Sequence, residues 1–550
     1  MKKLIALLLA LVMVLSMLAA CSTPDEPSQQ PSTEDVPNSS SENNEDKEFS
    51  YPVQSDVELT MYRGQNALIK ANYDGFGDSE VAKALEAASG IKVKYEDTYA
   101  DQEAYWNQML ADGTYTDMIS FNAMTYAGGP LAAMQDGLAI ELNDIIDQYM
   151  PNFKAYLQAN PSVDKAIKTD DGIYYMIPYV NSNTGAYSYG AYYREDMLQE
   201  LGAKEPTTVD EWHDLLVQVK EKYGITPISC EWSGLIQYGM FAMAFGVGGN
   251  STSNHFAVDS EGKVYYQRND ENWKSFLETM HAWFDEGLID PDVASIAGGD
   301  VRAKMISGDA FLSMGWLGSA MQVVQQQGAA ANEKFQLKAV GTPALKAGEP
   351  IEWVYATTLV SGMGTTISSQ CENVELAARY LDFLFSEQGH LIANYGVEGV
   401  SYTMVDNVPT FKDEIVKSGS LPEGMSQSQS AARYSAATTG IMAMVKDDYY
   451  YEQLMDEKCC ADAIYIWMNS AVGGGHMHEL PGLSYNEEES SAIGTIVTNL
   501  KTLSDENALK FVLGTRDLAE WDAYVQEISN MGVDAALVIM NQAMARYQSR

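Results

Sequence analysis

Residues 57–121 constrain the fold of this 550-residue chain more than any other stretch. Val57-Glu58-Leu59-Thr60-Met61-Tyr62 alternates apolar and polar residues, the period of two that a half-buried strand requires. Val81, Leu85 and Ala88 then share one face of a helix predicted from about Ser79 to Ala88, and Gly90 is placed to stop it. Ile91, Val93 and Tyr95 alternate as a second strand. Tyr105, Trp106, Met109 and Leu110 mark a helix from about Gln102 to Leu110, and Asp117-Met118-Ile119-Ser120-Phe121 reads as a third strand. Strands and helices in this succession build a mostly parallel sheet flanked by helices, an α/β architecture.

The same signals recur downstream. Thr208 with Glu211 three residues later forms a capping box that opens a helix through Val219. A further helix is predicted over roughly Trp273 to Glu286, ended by Gly287. Near the C-terminus Trp521, Tyr524 and Ile528 form one apolar stripe and Leu537, Met540 and Met544 a second, with Gly532 between them. There is no short-period repeat and no Gly-rich phosphate loop.

The N-terminus is read as a targeting segment. Lys2 and Lys3 precede an apolar run from Leu4 to Ala20 broken by Ser16, and Leu18-Ala19-Ala20-Cys21 ends it. Small residues followed at once by a cysteine resemble the lipobox of bacterial lipoproteins, in which the thiol takes a diacylglycerol and becomes the new N-terminus. That implies a signal peptide over 1–20, lipidation of Cys21 and a lipid anchor holding the protein at the cell surface, on the outer face of the cytoplasmic membrane. A plain transmembrane anchor is the alternative, but the run is at the short edge of what spans about 30 Å of hydrocarbon. Residues 21–55 are expected to form an acidic tether: Ser, Pro, Asn and Gln dominate, with eight carboxylates from Asp25 to Glu48 against Lys47. Too little apolar surface is available there to offset chain entropy.

The net charge of −42 argues against nucleic acid, whose binding requires cationic neutralisation of phosphate. It also disfavours polyanionic ligands unless a local basic pocket exists. No later apolar run is long enough to span a membrane, so any pore belongs to another polypeptide. Beyond Cys21, the scattered Cys230, Cys371, Cys459 and Cys460 match neither a disulfide framework nor a zinc site, and buried thiols are expected even at the adjacent pair.

Five segments, in order, carry a family resemblance. They are Asp171-Gly172-Ile173-Tyr174-Tyr175-Met176-Ile177-Pro178, Tyr193-Arg194-Glu195-Asp196-Met197-Leu198 with the capping segment from Pro206 to Trp212, and Gly287-Leu288-Ile289-Asp290-Pro291 leading to 307–316. The fourth runs from Ala377 through Ser386-Glu387-Gln388-Gly389 to Gly396-Val397-Glu398-Gly399-Val400-Ser401-Tyr402, and the last is 514–547. Together they resemble the family-1 extracellular solute-binding proteins, in particular the LipO-like lipoprotein subgroup. The resemblance implies a type II periplasmic-binding-protein fold, with two α/β lobes joined by crossing segments, an interlobe ligand cleft and extra C-terminal helices. It divides the chain into 56–182 plus 357–393 as the first lobe and 183–356 plus 394–550 as the second. It further implies a monomer that captures a carbohydrate, an oligosaccharide by preference, and hands it to the transmembrane permease subunits of an ABC importer. A peptide cargo remains the nearest alternative. No cofactor is expected: where some subgroup members carry a calcium loop, Lys222-Tyr223-Gly224-Ile225-Thr226-Pro227-Ile228-Ser229-Cys230 lacks the carboxylates that ion needs.

Sugars present flat apolar faces ringed by hydroxyls, so their sites combine aromatic platforms with planar polar groups. Candidates lie just after predicted strands or at lobe crossings. They are Tyr62 and Arg63, Asn122 and Tyr126, Tyr179, Asn181 and Asn183, Tyr187 and Tyr189, Trp232, Trp316, Trp353 and Tyr355, and Glu398 with Tyr402. For each aromatic the competing role is core packing, for Glu398 a helix cap, and for Arg63 a structural ion pair. An enzyme reading is thinner. His476-Met477-His478-Glu479 lacks the i,i+4 histidine spacing of a zincin helix and no G-x-S-x-G elbow is present. Paired acids such as Asp290 and Asp292 mimic a glycosidase dyad, but they match instead a loop that follows a helix in the family resembled. An adhesin or sensor on the same fold is a third possibility.

Overall fold

The computed structural model describes residues 49–550 except 65, 98–101, 125, 127–128, 249–253, 423–424 and 471–477. Cys21, the tether up to residue 48, and His476 therefore lie outside the described residues. The described strands are β1 (Glu58–Tyr62), β2 (Lys92–Glu96), β3 (Met118–Asn122), β4 (Ile177–Val180), β5 (Tyr189–Arg194), β6 (Phe256–Val258), β7 (Val264–Tyr266), β8 (Leu312–Trp316), β9 (Leu337–Val340), β10 (Met363–Ile367), β11 (Tyr402–Val405), β12 (Val408–Phe411) and β13 (Met444–Val445).

A six-stranded sheet has the order β13-β4-β10-β3-β1-β2, with β10 antiparallel to its neighbours and the other strands running one way. The strand–helix alternation of 57–121 builds half of it, as expected. Helix Glu80–Ser89 starts on the Ser79 side chain, which accepts from the Ala82 amide, and ends on Gly90 at φ +72°. A Cβ on Gly90 would lie 2.1 Å from the Val53 carbonyl, so the incoming chain can cross there only over glycine. A second sheet, β8-β5-β9, is antiparallel throughout, and two hairpins, β6–β7 and β11–β12, stand apart. The capping box at Thr208 and Glu211 opens helix Val209–Tyr223, which runs one turn beyond the expected Val219 to Gly224.

Two apolar cores mark two lobes. One gathers Leu59, Phe121, Ile177, Leu381 and Met444 around the large sheet and continues through Tyr192, Leu337 and Trp467 over one face of the small sheet; the other gathers Trp212, Trp273, Trp283, Phe511 and Tyr524 around the opposite face and the C-terminal helices. Helix Lys458–Met468 covers the first of these faces, and the indole N–H of Trp467 donates to the Ala191 carbonyl at 3.1 Å. The chain passes between the sheets three times, at 181–188, 355–362 and 446–457. The sequence assigns all of 394–550 to the second lobe, whereas Tyr402, Phe411 and Met444 belong to the first core and β13 pairs with β4. The two-residue β13 is too short to show alternation, which is why that third crossing is invisible in the sequence.

The C-terminal helix Val533–Ser549 closes back on the first lobe. Arg546 Nε donates to Asp170 Oδ2 at 2.6 Å and its two terminal nitrogens fork onto Glu489 at 2.9 and 2.6 Å. Arg550 donates to Asp170 Oδ1 from Nε and Nη2, at 3.0 and 2.6 Å. Removing the shared carboxylate leaves two guanidinium groups short of a partner in a partly desolvated site. Asp170→Ala is expected to cost about 2 kcal/mol in urea unfolding and to raise hydrogen exchange over 540–550; unchanged exchange there would show that the clasp does not hold the helix.

His255 makes a second such tie, its Nε2 lying 2.8 Å from Asp505 Oδ1. Burial and the Arg268 charge push the His255 imidazole down to about 4, from an ordinary 6.5. Burial works against ionised Asp505, but the His255 bond and the Lys501 ammonium hold it at about 2, below its ordinary 3.8. Both folded-state values are depressed, so the unfolded chain takes up protons first and stability falls on acidification. The His255 share is present above about pH 6.5 and is lost towards pH 4; the Asp505 share is lost between about 4 and 2. Unfolding free energies should drop by up to about 3 kcal/mol between pH 7 and 4 through this imidazole, and His255→Gln should flatten that slope.

Candidate functional site

Strands β1, β3, β4 and β13 all end on one edge of the large sheet, so Asn122, Asn181 and Lys446 stand along that edge with Arg63 beneath it. In open α/β sheets the crevice outside the carboxyl ends of the strands is where ligands bind. Two of the three crossings leave from this edge, after β4 and β13, and all three are tied to one another. The Asn181 amide donates to the Leu359 carbonyl and its Nδ2 to Thr357 Oγ1, both at 2.9 Å. Thr357 N donates to the Ala186 carbonyl at 2.8 Å, Asn183 N to Asp448 Oδ1 at 2.7 Å, and Lys446 N to the Val180 carbonyl at 2.9 Å.

Above this floor the first lobe carries a run of rings. Tyr105 stacks on Tyr62 at 5.7 Å, Tyr62 meets Trp106 at 5.5 Å, Trp106 meets Phe121 at 5.4 Å, and Tyr126 stands edge-on to Phe121 at 6.2 Å. On the second lobe Trp316 closes β8 with 40% of its surface exposed. Its β-partner Tyr189 packs edge-on against it at 5.1 Å, and Tyr189 in turn meets Tyr238 at 5.4 Å and Tyr355 at 5.6 Å. Buried tyrosines thus hold one exposed indole rigidly. A cavity of about 640 Å³ opens between Asn122 and Tyr126 of the first lobe, Thr358 and Gly362 of the second crossing, and Tyr485 and Thr498 of the C-terminal region.

The predicted residues separate into groups. Trp316 is exposed, Trp232 half-buried against the second core, and Asn122 and Tyr126 line the interlobe cavity, the Tyr126 hydroxyl donating to Asp136 at 2.7 Å. Tyr62, Tyr187, Tyr189 and Tyr355 are buried, supporting other rings or the crossings rather than presenting a face. Tyr179 lies against Gly440, and Asn181 and Asn183 are committed to the crossings. Trp353 stacks on His478 at 4.3 Å.

Arg63 is a correction. It is fully buried, its guanidinium 3.9 Å over the Phe76 ring and one nitrogen donating to Thr439 Oγ1, so it braces the first lobe out of reach of solvent. Glu398 and Tyr402 are another: they line a separate groove with Ala84, Ala88 and Leu391, formed by helices Glu80–Ser89 and Glu387–Tyr395. Asp290 is no dyad member. It is buried, accepting from Ser229 Oγ and Lys304 Nζ, each at 2.7 Å. The sulfurs of Cys459 and Cys460 stand 3.9 Å apart as thiols. Among the described residues no group of three or more His, Cys, Asp or Glu side chains is placed to hold a metal ion, and no helix is long and apolar enough to cross a membrane.

Sequence reasoning missed Tyr105, Trp106, Tyr238 and Lys446. The first two carried a signal: adjacent residues sit about 100° apart on a helix, so one buried stripe cannot take both rings, and only Met109 of that helix is buried. Tyr238 lies on a π-helical turn, Gly234–Tyr238, whose register no periodicity announces.

Two lobes joined by three tied crossings, with a cavity between them at Asn122 and Tyr126, define a two-lobe ligand-binding protein. The profile of the bacterial extracellular solute-binding proteins matches residues 75–390, and the chain belongs to that family. It is 21% identical to the fructooligosaccharide ABC transporter substrate-binding protein FusA of Streptococcus pneumoniae, over 85% of this chain and 87% of that one. It is 23% identical to the lipoprotein LipO of Bacillus subtilis, over 67% and 71%. Among solved structures, an extracellular solute-binding protein from Bifidobacterium longum subsp. infantis superposes with a TM-score of 0.72 at 17% identity, covering 90% of this chain and all of the other. The alginate-binding protein AlgQ2 superposes at 0.67 and 23%, covering 89% and 98%.

Proposed function

We propose that this protein is the cargo-capturing lipoprotein of an ABC importer, anchored through Cys21 at the outer face of the cytoplasmic membrane, and that its cargo is an oligosaccharide. The observation that carries the cargo class is Trp316, an exposed indole fixed edge-on by Tyr189 and Tyr355 at a strand end. A flat apolar face offered rigidly to solvent suits the face of a pyranose or furanose ring. The relatives named for fructooligosaccharide and alginate support the same class. Ligand would bridge the walls and favour the closed arrangement of the lobes, and transmembrane permease subunits would receive it.

Calorimetric titration of the full chain in detergent with fructan, glucan, galactan, mannan and milk-type oligosaccharides tests this reading. Saturable binding at micromolar Kd or tighter is expected for one class. Binding by a peptide panel and by no sugar would replace it with the peptide reading. Turnover of a chromogenic glycoside would replace it with an enzyme.

A further inference from the structure

Lys446 is the first residue after β13, on the sheet edge where Asn122 ends β3 and Asn181 follows β4. Its backbone amide is committed to the Val180 carbonyl, but its ammonium has no hydrogen bond and no ion pair among the described residues, although 76 carboxylates are available to 34 basic side chains in the sequence. The side chain is half-buried. The rings of Tyr450 and Tyr451 lie under Nζ at 5.4 and 4.9 Å. On the first crossing Gly185 faces it, where an added Cβ would come 3.6 Å from Nζ. The nearest carboxylates in sequence are turned to other work: Asp447 accepts from Tyr395 and His390, and Asp448 from Asn183. A cation on the carboxyl edge of the large sheet, between two crossings, is therefore held on aromatic faces without a counter-ion among the described residues.

We infer that Lys446 receives a carboxylate of the cargo, so that the captured oligosaccharide carries an acidic sugar unit. This rests on the carbohydrate reading above. A partly desolvated ammonium gains from a ligand that brings the missing negative charge, and a hydrogen bond between two charged groups is stronger than one between neutral groups. One lysine calls for one acidic unit rather than a polyanion, consistent with the strongly acidic chain around it. Burial alone pushes the ammonium down to about 8. It is still charged at pH 7, and its charge is lost as pH rises through that value. The phenols of Tyr450 and Tyr451, whose rings lie against it, are pushed up to about 12 by burial, so they remain neutral throughout.

The test compares matched pairs on the full chain by calorimetry, each acidic member carrying a single carboxylate: 3′-sialyllactose with lactose, and glucuronosyl-xylotriose with xylotriose. Acidic members should bind at least 30-fold more tightly than neutral ones. Lys446→Met should abolish that difference and Lys446→Arg should keep most of it. For the wild type, acidic-ligand affinity should fall severalfold between pH 7 and 9. The methionine variant removes an uncompensated charge, so its melting temperature should not drop, which separates lost recognition from lost folding. Tight binding of neutral sugars unaffected by Lys446→Met overturns the acidic cargo and leaves the carbohydrate reading standing. Binding of no sugar in either panel overturns both.

Discussion

Trp316→Ala is expected to weaken binding of the oligosaccharide by roughly 30- to 100-fold, about 2–3 kcal/mol, while the fold keeps its stability. The indole is the exposed member of a cluster whose other rings are packed, so its truncation removes contact area without opening a core cavity. Its neighbours do not depend on it, because Tyr189 retains Tyr238 and Tyr355 at 5.4 and 5.6 Å. Surface truncations of this kind cost the fold little, within about 0.5 kcal/mol. Calorimetry and thermal melting on the same variant check both halves. An unchanged Kd would remove Trp316 from the site and, with it, the observation that supports a sugar cargo.

The largest stability effect should come from Trp467→Ala, at about 3–5 kcal/mol in urea unfolding. Trp467 is 2% exposed and its indole lies directly on Gly190 of β5: an added Cβ there would meet the ring 2.3 Å away. The close approach lets the indole N–H reach the Ala191 carbonyl, and truncation leaves both a cavity and an acceptor without its donor. Because β5 also carries Tyr189, the support of Trp316, the variant should bind cargo more weakly even where it remains folded. Gly190→Ala makes the same point from the other side, by pushing the indole away. A loss below 1 kcal/mol for Trp467→Ala would show that helix Lys458–Met468 is not what holds the small sheet.

Local chemistry was legible wherever it decided the outcome. The first strand, the helix stop at Gly90 and the Thr208–Glu211 box each depend on a few neighbouring residues, and each is found where the sequence puts it. The indole at the end of β8 was picked out by its place in a family-like segment, 307–316, and its exposure there is a fact of the tertiary structure. Arg63 was not. Whether an arginine at a strand end reaches solvent depends on Phe76 and Thr439, and Thr439 lies 376 residues away in the chain. Glu398 and Tyr402 sat in a family-like segment, but Tyr402 opens a hairpin that packs beside helix Glu387–Tyr395, and both residues line the groove there rather than the sheet edge.

By itself the sequence determined the α/β class, the capped helix start at Thr208 and the family, because period, capping and motif order are properties of neighbours along the chain. The tertiary structure alone decided that a two-residue strand at 444–445 completes the large sheet, that three crossings share one floor, and that Lys446 stands there uncompensated. Those facts are contacts between residues hundreds of positions apart, and a side chain's exposure is set by what arrives from elsewhere to cover it.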